Sequence, residues 1–304
     1  MSVDRLPVEL EREIFETTAL MNAERIPTLL LVARRVLVWL EPLLYRTLHV
    51  GLTPADAGQF KALRAKSPAF IASAVRRLVL YEENNWDLDA DNTLSTFALC
   101  TGTTAVAVHG TIASAGLLPL LSKLQLTHFS GFLTDILPIH PSTVPAPGDL
   151  LPAHGVRTHS FCKRLTHLDL FEPLADESAA AALVLAVLPH LPCLTHLAIS
   201  HFEAIAEIAA PLVGLLQSCA RLQLLVVLNH DRSARTPSLA RTRATVGAVP
   251  ESLRDPRFVM CSYQHWAEGV FTTPNFWTTA EHFLERKRRK EVDQNDFWAL
   301  DVSY

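Results

Sequence analysis

Leu165-Thr-His-Leu168-Asp-Leu170, Leu194-Thr-His-Leu197-Ala-Ile199 and Leu222-Gln-Leu-Leu225-Val-Val227 repeat one pattern, L-x-x-L-x-L. From Leu168 to Leu197 is a step of 29 residues, and from Leu197 to Leu225 a step of 28. A fixed period of this size marks stacked units, each hiding its apolar face only against its neighbours. Chains built this way work by offering a surface.

Upstream, the same template fits Val75-x-x-Leu78-x-Leu80, Thr103-x-x-Val106-x-Val108 and Leu121-x-x-Leu124-x-Leu126. The steps from Leu78 to Val106, Leu124 and Leu168 are 28, 18 and 44, so the Leu124 strand is expected to be displaced within its pair of repeats. Residues 138–152 supply the insertion, because Pro138, Pro141, Pro145, Pro147 and Pro152 forbid helix or central strand there. Between strands the period becomes helical. Ile205, Ile208, Leu212, Leu215 and Leu216 share one helical face, with Pro211 marking a start or a kink. Asp176 is placed to cap a helix over 177–188 whose buried candidates are Leu183, Val184 and Val187.

This alternation over about residues 70–265 resembles an irregular leucine-rich-repeat solenoid. No Asn follows each L-x-L, so the side-chain amide ladder of regular repeats is missing. The expected fold is α/β: an N-terminal three-helix module over 1–50, then a solenoid of parallel strands and outer helices over 51–304. Its last part, about 265–304, would be a C-terminal cap built on Trp266, Phe276, Trp277, Phe297 and Trp298.

The opening segment carries three blocks in order: L-P-x-E-L-x-x-E-I-F from Leu6, L-L-L-V-A-R-R-V-x-x-W from Leu29, and P-L-L-Y-R-x-L from Pro42. Leu6, Leu10 and Ile14 fall on one helical face beside Phe15, and a second helix after Pro27 carries Leu29, Ala33, Val36 and Leu40 and stops before Pro42. Over about residues 5–48 this resembles the F-box. An F-box followed by irregular repeats is similar to the F-box-like proteins of mushroom-forming fungi. The resemblance implies a substrate receptor of Skp-cullin-F-box ubiquitin ligases. The small adaptor subunit would dock on Leu6, Pro7, Leu10, Ile14, Phe15, Val32, Trp39, Leu44 and Tyr45. A stand-alone interaction scaffold, whose first helices merely cap the repeats, is the alternative.

Side chains alternate along a strand, so the residues flanking each inner Leu point to the opposite, concave face. They are Arg77, Val79, Lys123, Gln125, His167, Asp169, His196, Ala198, Leu224 and Val226. This face is expected to be exposed and to read an unknown protein client, with Arg77, Lys123, Gln125, His167, Asp169 and His196 as its polar contacts. Its charges have no single sign, which suits a protein better than a polyphosphate.

His167 and His196 hold equivalent positions in adjacent repeats, and with Asp169 nearby they offer two imidazoles and a carboxylate to a zinc ion. A metal-dependent enzyme is therefore a more distant alternative, although repetition of Leu-Thr-His-Leu explains the pair more simply. No metal or other cofactor is expected. Asp87-x-Asp89-x-Asp91 has part of a calcium loop but lacks its Gly and closing Glu, so a solvated turn is expected.

With 304 residues, 49% of them hydrophobic, the chain can bury a large core without metal or disulfide. A net charge of −4 gives no general attraction to nucleic acid or anionic membrane, and neither is expected as a partner. The five cysteines form no C-x-x-C pair and read as buried thiols. The first residues contain no apolar signal region, which points to cytoplasm or nucleus. The uncharged runs 92–122 and 178–202 are interrupted by Gly, Pro and His, so neither reads as a membrane span. Arg232, Arg235, Arg241 and Arg243 lack interleaved aromatics, and Arg286-Lys-Arg-Arg-Lys290 suits a helix C-terminus or a nuclear-localisation run. No nucleophile elbow, phosphate loop or zinc-protease helix appears, and the expected protein is not an enzyme.

Overall fold

A computed structural model of the chain describes residues 6–51, 54–82, 90–110, 112–137, 160–175, 179–200, 204–229, 247–262, 270–271 and 275–299. The 138–152 insertion, the Asp176 cap, Asp87 and Asp89, the four arginines between 232 and 243, and Trp266 lie outside these residues. The chain divides into two compact units, Met1–Thr103 and Thr104–Tyr304. The sequence division at about residue 50 falls inside the first of them.

The first unit begins with helices α1 (Val8–Met21), α2 (Ile26–Leu29) and α3 (Arg34–Leu44). Ala19, Ile26, Val36 and Leu40 form their common core, with Phe15, Leu29, Trp39 and Leu44 packed at its edge. Glu11 on α1 accepts two hydrogen bonds from the Arg35 guanidinium on α3, at 2.6 and 3.0 Å. The expected second helix is thus two helices. Ala33 is extended and breaks it, which lets α2 and α3 both face Ala19. Pro42 does not stop α3 but sits in its last turn, where the missing N–H removes one bond only.

Strand β1 (Thr47–Val50) follows at once and pairs in parallel with β2 (Arg77–Glu82), Leu48 against Leu78. Helices α4 (Pro54–Arg64) and α5 (Pro68–Ala74) make the crossover, and α6 (Ala90–Leu99) follows β2. Ser67 caps α5 by accepting from the Phe70 N–H, and Pro68 takes the first helical position.

Among the described residues the second unit holds seven strands, paired in sequence order and all parallel: β3 (Ala105–Gly110), β4 (His128–Gly131), β5 (His167–Leu170), β6 (His196–Ser200), β7 (Leu224–Asn229), β8 (Phe258–Ser262) and β9 (Trp298–Ala299). Its helices are α7 (Leu118–Leu121), α8 (Leu133–Ile136), α9 (Ala179–Val187), α10 (Ala209–Ser218) and α11 (Phe276–Arg288). Leu183, Val184 and Val187 of α9 are buried, as are all five positions of the 205–216 face; Pro211 lies in the first turn of α10, so it marks a start.

The L-x-x-L-x-L template locates β2, β3, β5, β6 and β7, but not β4. The fourth strand is centred on Phe129, five residues beyond Leu124, because Leu118–Leu121 closes a helical turn and Leu124 and Leu126 are buried ahead of the strand. Phe129 aligns with Leu168, Leu197, Leu225 and Phe258 on one sheet face, and the Phe161 ring packs on it at 6.0 Å between centroids. Lys123 and Gln125 are therefore exposed residues of the preceding turn and not strand residues.

A second correction concerns the opposite face. Ala198, Leu224 and Val226, expected to be exposed, are buried with Val259, Cys261 and Ala299 beneath Phe276, Trp277, Ala280, Phe283 and Leu284 of α11. The amphipathic helix expected in an end cap lies on the sheet face instead. Sequence periodicity identifies an apolar helical stripe, but not the surface that will cover it.

Candidate functional site

Where α11 meets β5 and β6, the repeated Thr-His pairs form a ladder. Thr127 Oγ1 donates to the Thr104 carbonyl at 3.2 Å, Thr166 Oγ1 to the Thr127 carbonyl at 3.1 Å, and Thr195 Oγ1 to the Thr166 carbonyl at 3.2 Å. Each hydroxyl also lies 2.8–2.9 Å from Nδ1 of the histidine that follows it. The parallel register then stacks the rings, with centroids 4.1 Å apart for His128 and His167 and 4.2 Å for His167 and His196.

Trp277 of α11 stands edge-on to this stack, 5.2 Å from His167 and 6.0 Å from His196. One helical turn further on, Glu281 places Oε1 3.1 Å from His196 Nε2. Burial, with His128 and His196 beside it, pushes the His167 pKa down to about 3. His196 is also lowered, since burial outweighs the opposing pull of Glu281. One ligand atom from each of His167, His196 and Glu281 lies within 4.8 Å of the others, so these three residues could hold a metal.

Of the expected client contacts, the structure brings together only His167, His196 and Asp169. Asp169 is fully buried and is not part of a surface, and the carboxylate beside the histidines belongs to Glu281. Arg77 is half-buried in the first unit, its pKa lowered by burial and by Arg46. Glu281 carries no repeat signature, and only knowledge of where α11 docks would have found it. Thr127-His128, by contrast, is a third copy of Thr166-His167 and is legible in the sequence.

Among the expected adaptor contacts, Leu6, Leu10, Ile14 and Val32 are 56%, 47%, 53% and 60% exposed. Pro7 is exposed, whereas Phe15, Trp39 and Leu44 are half-buried against the α1–α3 core. Tyr45 is buried, its ring 5.7 Å from that of Phe70.

Cys162 and Cys219, in the turns before β5 and β7, help line a groove of about 620 Å³ with Pro192 and Arg221. Burial pushes the Cys162 thiol up to about 12 and raises Cys219, so neither is a ready nucleophile. Lys287, the second residue of the basic run, is buried and lies 3.8 Å from the Phe297 ring centroid. Among the described residues no helix is long and apolar enough to cross a membrane.

No protein-family model matches the sequence, and no match is found among curated proteins.

Proposed function

We propose that the chain is an F-box-like substrate receptor of a Skp-cullin-F-box ubiquitin ligase, docking the adaptor through α1–α3 and recruiting a protein client through its repeats. One observation carries this reading. Among the described residues, ten of the eleven exposed large apolar side chains fall between Leu6 and Val38. So many exposed apolar side chains on one short helical segment support a place where a partner binds. A helical cap on a stand-alone scaffold would bury these side chains rather than present them.

The docking set differs in part from the one implied by the motif. Leu6, Leu10, Ile14 and Val32 are its accessible anchors, and Tyr45 supports the fold behind them. In such a receptor the chain accelerates ubiquitin transfer without chemistry of its own, by raising the local concentration of the client. Clients would be held away from Ala198, Leu224 and Val226, which α11 covers.

Replacing Leu10 and Ile14 together by Ala removes two anchors, each worth on the order of 1–3 kcal/mol in a desolvated interface. Pull-down with the purified adaptor subunit should fall at least tenfold while circular dichroism stays the same. Equal recovery of adaptor by both proteins, or none by the intact chain, would overturn the reading.

A further inference from the structure

The hydrogen count around the ladder leaves an unresolved contact. A threonine hydroxyl has one proton, and Thr166 and Thr195 give theirs to the carbonyls of Thr127 and Thr166. Each hydroxyl oxygen can then accept from the neighbouring imidazole, in the tautomer that has the proton of His167 and of His196 on Nδ1; in the other tautomer the hydroxyl donates to Nδ1 instead and His196 donates from Nε2 to Glu281. In the first tautomer Nε2 of both rings carries a lone pair. Yet His196 Nε2 faces a carboxylate oxygen of Glu281 at 3.1 Å, so two acceptors meet at hydrogen-bond distance. Something positive belongs between them, either a proton or a metal ion.

We propose that His167, His196 and Glu281 bind one divalent metal ion of the zinc class. Two imidazoles and a carboxylate suit zinc and its borderline neighbours better than calcium or magnesium, which prefer oxygen alone. Metal-bound histidines characteristically donate their other N–H to a fixed acceptor, and the Thr166 and Thr195 hydroxyls already fill that role. The three ligand atoms lie within 4.8 Å of one another, and a zinc tetrahedron with bonds of about 2.0–2.1 Å has edges of about 3.3 Å. Glu281 is half-exposed at its side chain and has the rotameric freedom to close that gap. The edge of Trp277 walls one side.

Repetition of Thr-His explains the stacked rings. It does not explain Glu281, which arrives from a different element. Three protein ligands leave a fourth position for water or for an incoming donor. The ion would tie α11 to β5 and β6.

The test uses the full-length chain stripped with a chelator and titrated with zinc chloride against a chromogenic competitor. The intact protein should take up one equivalent, with affinity weakened at least tenfold by Glu281→Gln and by His167→Ala and unchanged by Cys193→Ser. Cobalt(II) should give visible absorption bands that both ligand variants lose. If His167→Ala fails to fold by circular dichroism, Glu281→Gln decides, because its half-exposed position leaves the core intact. Absence of a bound equivalent overturns the proposal and assigns the contact to a proton. So does wild-type affinity in either folded variant, or loss of the equivalent with Cys193→Ser.

Discussion

At single residues, the chain shows how a side chain can stand in for the amide ladder of regular repeats. Each Thr of the Thr-His pairs hydrogen-bonds the preceding repeat through its hydroxyl as well as its backbone N–H, so one carbonyl per repeat is satisfied several times over. Gly131 closes β4 with φ +148°, and a Cβ there would lie 2.7 Å from the Val108 carbonyl oxygen. Gly131→Ala should therefore cost about 1–3 kcal/mol in a thermal melt, the range for held backbone strain; a neutral result would mean that the β3–β4 pairing can shift freely. Glu172 is buried, accepts from the Thr134 N–H at 2.9 Å, and its second carboxylate oxygen has no hydrogen-bond partner among the described residues. Burial raises its pKa. A raised carboxyl favours folding below the unfolded value of about 4.3, and that contribution is lost as pH rises through the folded value. Glu172→Gln keeps the acceptor for Thr134 and removes the charge. It should melt higher than wild type at pH 7, with the gap closing toward pH 4; a lower melt at pH 7 would show the carboxylate to be favourably held. Neither Gly131 nor Glu172 stands out in the sequence, because φ, carbonyl proximity and burial of one acid depend on neighbours that no local pattern names.

Among the elements, the strands belonging to the recognised L-x-x-L-x-L copies were legible and the others were not. Periodicity placed β5, β6 and β7 because Leu168, Leu197 and Leu225 recur at even steps. It missed β1, which lies within the three-helix module expected over 1–50, β4, where an aromatic Phe129 replaces Leu, β8, which carries Phe258 and Met260, and β9, where two residues suffice for pairing. Leu197 is fully buried, and Leu197→Ala should cost about 2–5 kcal/mol by calorimetry through the cavity it opens. The helix α11 sets a harder test of the packing. Its Asn275–Thr278 capping box fixes where it starts, and Phe276, Trp277, Ala280, Phe283 and Leu284 fix which stripe it buries. Ala280→Glu would place a charge against Val226 and its neighbours and should detach the helix, exposing Trp277 to an aqueous quencher. Quenching unchanged from wild type would show that the helix docks elsewhere.

For the molecule as a whole, composition said little, since a modest net charge and an ordinary apolar fraction describe most soluble chains. The asymmetry of the surface says more. Exposed apolar side chains are concentrated on α1–α3, while the apolar face of β6–β9 is covered. Self-association of the isolated protein should follow from this, and light scattering coupled to gel filtration should show apparent mass rising with concentration. Leu10→Lys with Ile14→Lys should flatten that rise; identical curves would place the sticky surface elsewhere. The covering helix also imposes an order on synthesis. Residues 224–228 and 258–261 emerge from the ribosome before 276–288, so for part of its translation the nascent chain carries a strip of Leu, Val and Cys side chains with nothing over them. Until α11 arrives, that strip is open to chaperones and to neighbouring nascent chains. A message truncated just before Phe276 should therefore yield a product that is chaperone-bound or aggregated, even though nearly every repeat has been made.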